Sequence, residues 1–183
     1  MIGIPIALVL SNATEWVVHK HLLHGVGRNK KSMWSFHWHE HHGNSRRNNM
    51  IDETYSRFPL GNHAQGKELL GLIAVGLATL PLAPIAPFYT GTVLYCIGEY
   101  YYKHRRSHED PKWAREHLPW HYDHHMGPNQ DANWGVVRPW MDIIMGTREP
   151  YLGTEKELSD RKRRAEREEA RAAKAEASVN EAA

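Results

Sequence analysis

Fourteen of the 183 residues are histidine, and thirteen of them fall into four short groups. These are His19, His21 and His24; His37, His39, His41 and His42; His104 and His108; and His117, His121, His124 and His125. Neutral imidazole is a ligand for iron, zinc and copper, so histidine at this density points to metal chemistry. Residues four apart share a face of an α-helix, which lets His37/His41, His104/His108 and the series His117/His121/His125 each aim imidazoles into one pocket. Adjacent residues point about 100° apart on a helix, so the pairs His41/His42 and His124/His125 can serve two neighbouring metals. His63 has no partner nearby and reads as structural, and His21 and His39 lie off the preferred spacing.

Other chemistries fail against the letters. Cys96 is the lone cysteine, which excludes a disulfide framework, a thiolate zinc finger and a cysteine-held iron–sulfur cluster. The protease motif His-Glu-x-x-His is broken by Gly43 after His39-Glu40 and by Lys112 after His108-Glu109. A membrane cytochrome would use one or two histidine pairs per haem and leave most of the cluster unexplained. A zinc transporter would place its ligands within several spans, whereas these flank an apolar block. Gly25-Val26-Gly27 lacks the rest of a dinucleotide fingerprint. With a net charge of +2 and basic residues mixed with acids, the chain is no nucleic-acid binder.

The segments that must position the histidines are mainly apolar. Leu69 to Tyr102 carries a single charged residue, Glu99, and as one helix would be about 51 Å long, against a bilayer core of about 30 Å. Pro81, Pro84 and Pro87 break it into a hairpin of two helices, about Leu69–Leu80 and Phe88–Tyr102, whose short first limb is re-entrant or spanning. Lys and Arg lie on both flanks of this hairpin and none in its turn, which places the hairpin ends, the histidines and the tail on the cytoplasmic face. Ile2 to Val18 is a poor signal peptide and a marginal span. Residues 1–151 read as one all-α, multi-pass integral membrane unit under a cytoplasmic histidine-rich cap, and 152–183 as a charged helical or frayed tail.

The ordered motifs Glu15-Trp16-Val17-Val18-His19-x4-His24-Gly25, His37-x3-His41-His42, His104-x3-His108 and His121-x2-His124-His125 resemble those of the fatty acid hydroxylase and sterol desaturase superfamily. The closing segment Asn133-Trp134-Gly135-Val136 through Pro139-Trp140-Met141-Asp142 to Met145-Gly146-Thr147 is similar too, and the compact layout resembles short bacterial carotenoid hydroxylases. The resemblance implies a membrane enzyme holding two iron ions, with zinc as a substitute in purified protein, that uses O₂ to hydroxylate or desaturate a lipid C–H bond. A separate reductase, ferredoxin or cytochrome would supply electrons. Carried over residue by residue, the ligands are His19, His24, His37, His41, His42, His104, His108, His121, His124 and His125, the last three marking the catalytic group. His39, in a shifted register, and His117 are further ligand candidates; Glu15 and Asp123 are candidates to orient imidazoles, and Asn133 to hold a metal-bound water. The rival reading is a non-catalytic membrane protein in which the same histidines hold structural zinc.

Overall fold

The computed structural model describes residues 1–181, with side chains as far as Lys174, and every regular element among them is helical. The chain divides into two compact units, Met1–Glu149 and the remainder from Pro150. The first opens with α1 (Gly3–Val17), which continues without a break into a π-helical stretch, Val18–Val26. A second π-helical stretch, Phe36–His42, runs into the short α2 (Gly43–Arg47).

The proline-broken apolar block forms the expected hairpin with shifted bounds. Helix α3 spans Ala64–Thr79, a 3-10 turn covers Leu80–Leu82, and α4 runs Pro87–Glu109. His63 starts α3, its Nδ1 accepting the Gly66 N–H, so this unpaired histidine is a helix cap. Pro87 opens α4, where its missing N–H costs nothing. Helix α4 outlasts the apolar run by seven residues, so His104 and His108 are the polar end of the hairpin itself.

Then follow α5 (Pro111–His117), α6 (Pro119–Met126) and α7 (Trp140–Ile144), with α8 (Glu155–Glu181) in the second unit. Within α8, Lys156–Asp160 and Arg161–Glu157 pair at helical spacing.

Helix α1 packs on α4 and α7, and α3 packs on α4. Among the described residues no helix is long and apolar enough to cross a membrane: the 16 residues of α3 reach only about 24 Å. The outer faces of α1, α3 and α4 nonetheless carry exposed Ile6, Val9, Leu70, Ile73, Leu77 and Leu94. The interior at the other end of these helices is polar, built largely of histidine.

Candidate metal centre

The two π-helical stretches decide which histidines meet. A π-helix pairs residues five apart, and this brings His19 next to His24 and His37 next to His42, where α-helical spacing had grouped His37 with His41. One cluster holds His19, His24, His37, His42 and His124, and a second holds His41, His104, His108 and His125. In each group the donor nitrogens lie within 4.8 Å of one another. His121 stands beside the second cluster, its Nε2 3.1 Å from that of His108. The consecutive pairs split between the clusters: His41 from His42, and His125 from His124. All ten carried-over histidines are buried, with at most 3% of their surface exposed.

Two of the looser candidates lie elsewhere. His117 ends α5 in solvent, stacked on Trp113 with its Nδ1 on the Trp113 carbonyl, because Pro119 starts a new helix and breaks the 117/121/125 face. His39 is exposed on the outside of its π-helix, its Nε2 2.9 Å from the Arg28 carbonyl.

Hydrogen bonding shows which nitrogens face inward. Nδ1 of His19, His124 and His108 lies 2.6, 2.7 and 2.8 Å from the carbonyls of Trp134, Ala132 and Met50. A carbonyl only accepts, so each ring carries its proton on Nδ1 and presents a bare Nε2 lone pair. His42 does the same through Gln130 Oε1 at 3.0 Å. Yet Nε2 of His124 sits 3.2 Å from Nε2 of both His42 and His24, and the His19–His37 and His24–His42 pairs are 3.0 and 3.1 Å apart. The lone pairs of His42 and His124, both bare, face one another and repel in a buried site unless a cation lies between them. In the second cluster, Nε2 of His41, His104 and His125 is buried without a hydrogen-bond partner, as suits a nitrogen that ligates a metal.

Burial pushes His37, His42, His121 and His125 well below the ordinary imidazole range, and His124 down to about 4. Each is therefore neutral near pH 7, the form that binds metal. With metal–nitrogen bonds of about 2.1 Å, neighbouring ligands are about 3.0 Å apart in an octahedron and about 3.4 Å in a tetrahedron. The spacings of 3.0–3.2 Å fall at or between these values, close enough for the nitrogens to share one metal ion. The residues present fit a metal ion held by imidazole in each group.

Two carboxylates that the sequence did not single out steady imidazoles. Asp52 Oδ2 lies 3.0 Å from His41 Nδ1, and Glu68 Oε2 lies 2.7 Å from His104 Nδ1. The Tyr55 hydroxyl donates to the same Glu68 oxygen at 2.7 Å, and its ring stacks on His108. Glu15 instead accepts the N–H groups of Val136 and Val137. Asp123 pairs with Arg148 at 2.7 Å. Asn133, in a left-handed conformation at φ 60°, hydrogen-bonds through its side chain to Arg148 and Glu149.

The closing segment acts through the backbone. Buried Asp142 accepts from Trp134 N–H at 2.8 Å, Gly135 N–H at 2.7 Å and the Thr147 hydroxyl at 2.7 Å, which fixes the Trp134 carbonyl under His19. The Trp134 ring packs edge-on against His19 and His24. Asp52, Glu68, Tyr55 and Gln130 carry no periodic signal in the sequence; Asp142 and Trp134 lie inside the closing motif.

A cavity of about 380 Å³ runs between α1, α3 and α4. Leu8, Leu72, Val75, Val93 and Ile97 line its apolar length, and His19 and His37 of the first cluster stand in its wall with Glu68.

A family model described as fatty acid hydroxylase matches residues 4–147, from the start of α1 to the end of the closing motif. No curated protein and no solved structure matches the chain.

Proposed function

Because the chain belongs to the fatty acid hydroxylase family, in the superfamily of fatty acid hydroxylases and sterol desaturases, we propose that it is a membrane-bound oxygenase that holds two iron ions and hydroxylates or desaturates a lipid C–H bond. In hydroxylation, one atom of O₂ enters the C–H bond and the other leaves as water, with two electrons and two protons supplied. The observation that carries the reading is the facing of the bare Nε2 lone pairs of His42 and His124 in one cluster beside a second cluster whose His41, His104 and His125 Nε2 atoms are unpartnered. Iron bound there would supply the site at which O₂ is reduced, since imidazole ligation suits iron and leaves positions open.

The chain's own residues supply the rest. His19, His24, His37, His42 and His124 hold one metal; His41, His104, His108 and His125, with His121 beside them, hold the other. Trp134, Trp38 and Tyr55 pack on the imidazoles and keep water from them. The cavity admits an apolar chain and brings it to His19 and His37. From Leu8 to His19 its wall extends about 16 Å along the helix, room for roughly a dozen bonds of an extended chain. The exposed apolar faces of α1, α3 and α4 support immersion in a bilayer. Lys67 and Lys103, Arg105 and Arg106 at the two ends of the hairpin support a cytoplasmic histidine face. Electrons come from a separate reductase, ferredoxin or cytochrome.

The test is metal analysis of detergent-purified protein from iron-supplied cells, followed by turnover of candidate fatty acyl, sterol and carotenoid lipids with O₂ and reductant. About two iron ions per chain and an oxygenated or desaturated lipid support the reading. Tightly held zinc in closed sites that bind neither azide nor nitric oxide would replace it with a structural zinc protein.

A further inference from the structure

The two clusters offer equal numbers of imidazoles, five in the first and four with His121 beside them in the second. They differ in what stands behind the rings. In the first, His19 and His124 give their Nδ1 protons to the neutral carbonyls of Trp134 and Ala132, and His42 to the amide oxygen of Gln130. In the second, His41 and His104 give theirs to carboxylates.

Both carboxylates are fixed in place. Asp52 is fully buried, and its Oδ1 accepts the Thr54 N–H at 3.1 Å, the Thr54 hydroxyl at 2.9 Å and the Asn44 amide at 3.3 Å, leaving Oδ2 for His41. Glu68, whose side chain is 10% exposed, is held through Oε2 by the Tyr55 hydroxyl.

A carboxylate behind an imidazole draws its Nδ1 proton away and makes Nε2 a stronger donor to a cation, and two buried anions add direct attraction for a divalent ion. A carbonyl orients the ring with a partial charge only. The clusters also differ in access, because the cavity is lined by two imidazoles of the first, His19 and His37, and by no imidazole of the second, where it meets only the Glu68 carboxylate behind His104.

We propose that the two sites are unequal: the second cluster, backed by Asp52 and Glu68, fills first and holds its metal tightly, and the first, beside the cavity, fills second and exchanges. This rests on the two-metal reading above and assigns Asp52 and Glu68 as positioning residues whose effect is confined to one site. Removing such an outer partner typically weakens metal binding by about 10–100-fold, so the wild-type sites should differ by about tenfold or more.

The experiment is a titration of metal-free full-length protein in detergent with Co²⁺ under argon, read by visible absorption and calibrated by competition with a chelator. Circular dichroism reports the helical fold of every variant. Wild-type protein should bind two equivalents in two resolved steps. His37→Ala should delete the weaker step and leave the tighter. Asp52→Asn and Glu68→Gln, made separately so that one misfolded variant does not end the test, should each weaken the tighter step by about 10–100-fold and leave the other within about twofold. Two equivalents in one unresolved step, or carboxylate variants that weaken both steps alike, would overturn the proposal while leaving the two-metal reading intact. Fewer than two equivalents in the wild type would overturn both.

Discussion

Asp142→Ala should both destabilise the protein and unseat His19, though the substituted side chain touches no imidazole. Asp142 is fully buried and takes three donors at 2.7–2.8 Å, the N–H groups of Trp134 and Gly135 and the Thr147 hydroxyl. A buried donor left without an acceptor costs about 1–3 kcal/mol. Three would cost roughly 3–9 kcal/mol if nothing relaxed, and with a water admitted into the space about 4 kcal/mol is expected, at the upper end for a single substitution. Released from Asp142, the 134–135 peptide no longer fixes the carbonyl that accepts from His19 Nδ1 at 2.6 Å. Asp142→Asn keeps one acceptor but turns an amide N–H toward a backbone N–H, and should cost about 2 kcal/mol. Gly135→Ala attacks the same turn from the backbone side, since a Cβ there would lie 2.3 Å from the Arg138 carbonyl oxygen and 3.1 Å from Asp142 Oδ2. Denaturant melts and metal content, measured on the same preparations, check the set. An Asp142→Ala protein within about 1 kcal/mol of wild type and with its full metal complement would refute the reasoning.

Three further outcomes follow from the geometry. His41→Ala and His42→Ala, adjacent in sequence but assigned to different clusters, should each cost about one metal equivalent and leave the other, as measured by elemental analysis; loss of both metals from either variant would argue against two separable sites. Leu72→Trp should fill the cavity and lower the affinity for a long-chain lipid by at least about tenfold while metal content is unchanged, by equilibrium binding beside metal analysis. Metal-free protein should lose stability as pH falls through the window from about 6.5 to about 4. There the unfolded chain protonates its histidines and the folded chain, with His124 held down at about 4, does not. For His124 alone that is about 2 kcal/mol between pH 7 and pH 5, with the more deeply depressed imidazoles adding to it, and a flat stability profile over that range would count against neutral buried imidazoles.

The all-helical class and the hairpin were legible because they rest on local signals, proline breaks and an apolar run, whereas the set of ten buried histidines came from the family resemblance, since spacing alone had named His37/His41, His104/His108 and His117/His121/His125. The division of His41 from His42 and of His124 from His125 was legible from spacing, since adjacent helical residues diverge whatever they face. The grouping of His37 with His42 was not. It depends on a π-helix, and the i, i+4 rule carries no knowledge of where a helix widens to i, i+5. His117 failed for a reason visible in the letters, as Pro119 forbids continuation of the helix that would have carried it. The outer partners of the rings are the hardest to read. His41 meets Asp52 and His104 meets Glu68 across loops and helices, so nothing in the spacing of those acids marks them.

Each cluster hangs on its own piece of chain. The first takes its outer acceptors from Gln130, Ala132 and Trp134, and the second from Met50, Asp52 and Glu68. The interior where they meet is polar: ten imidazoles stand where a helical domain of this size would place leucine and isoleucine. Imidazoles desolvated in that way bring little hydrophobic stabilisation, and their facing lone pairs oppose closure. Metal binding then becomes part of the folding free energy of this half of the molecule, whereas α3 and α4 pack through ordinary apolar contacts. Stripping the metals should therefore loosen the protein unevenly. Amide hydrogen exchange should speed up by orders of magnitude across Val18–Val26, Phe36–His42 and α6 while the apolar part of the α3–α4 hairpin stays protected. Uniform acceleration over the whole first unit would mean that the hairpin depends on the metals as well, and equal protection with and without metal would mean that the histidine core holds itself together.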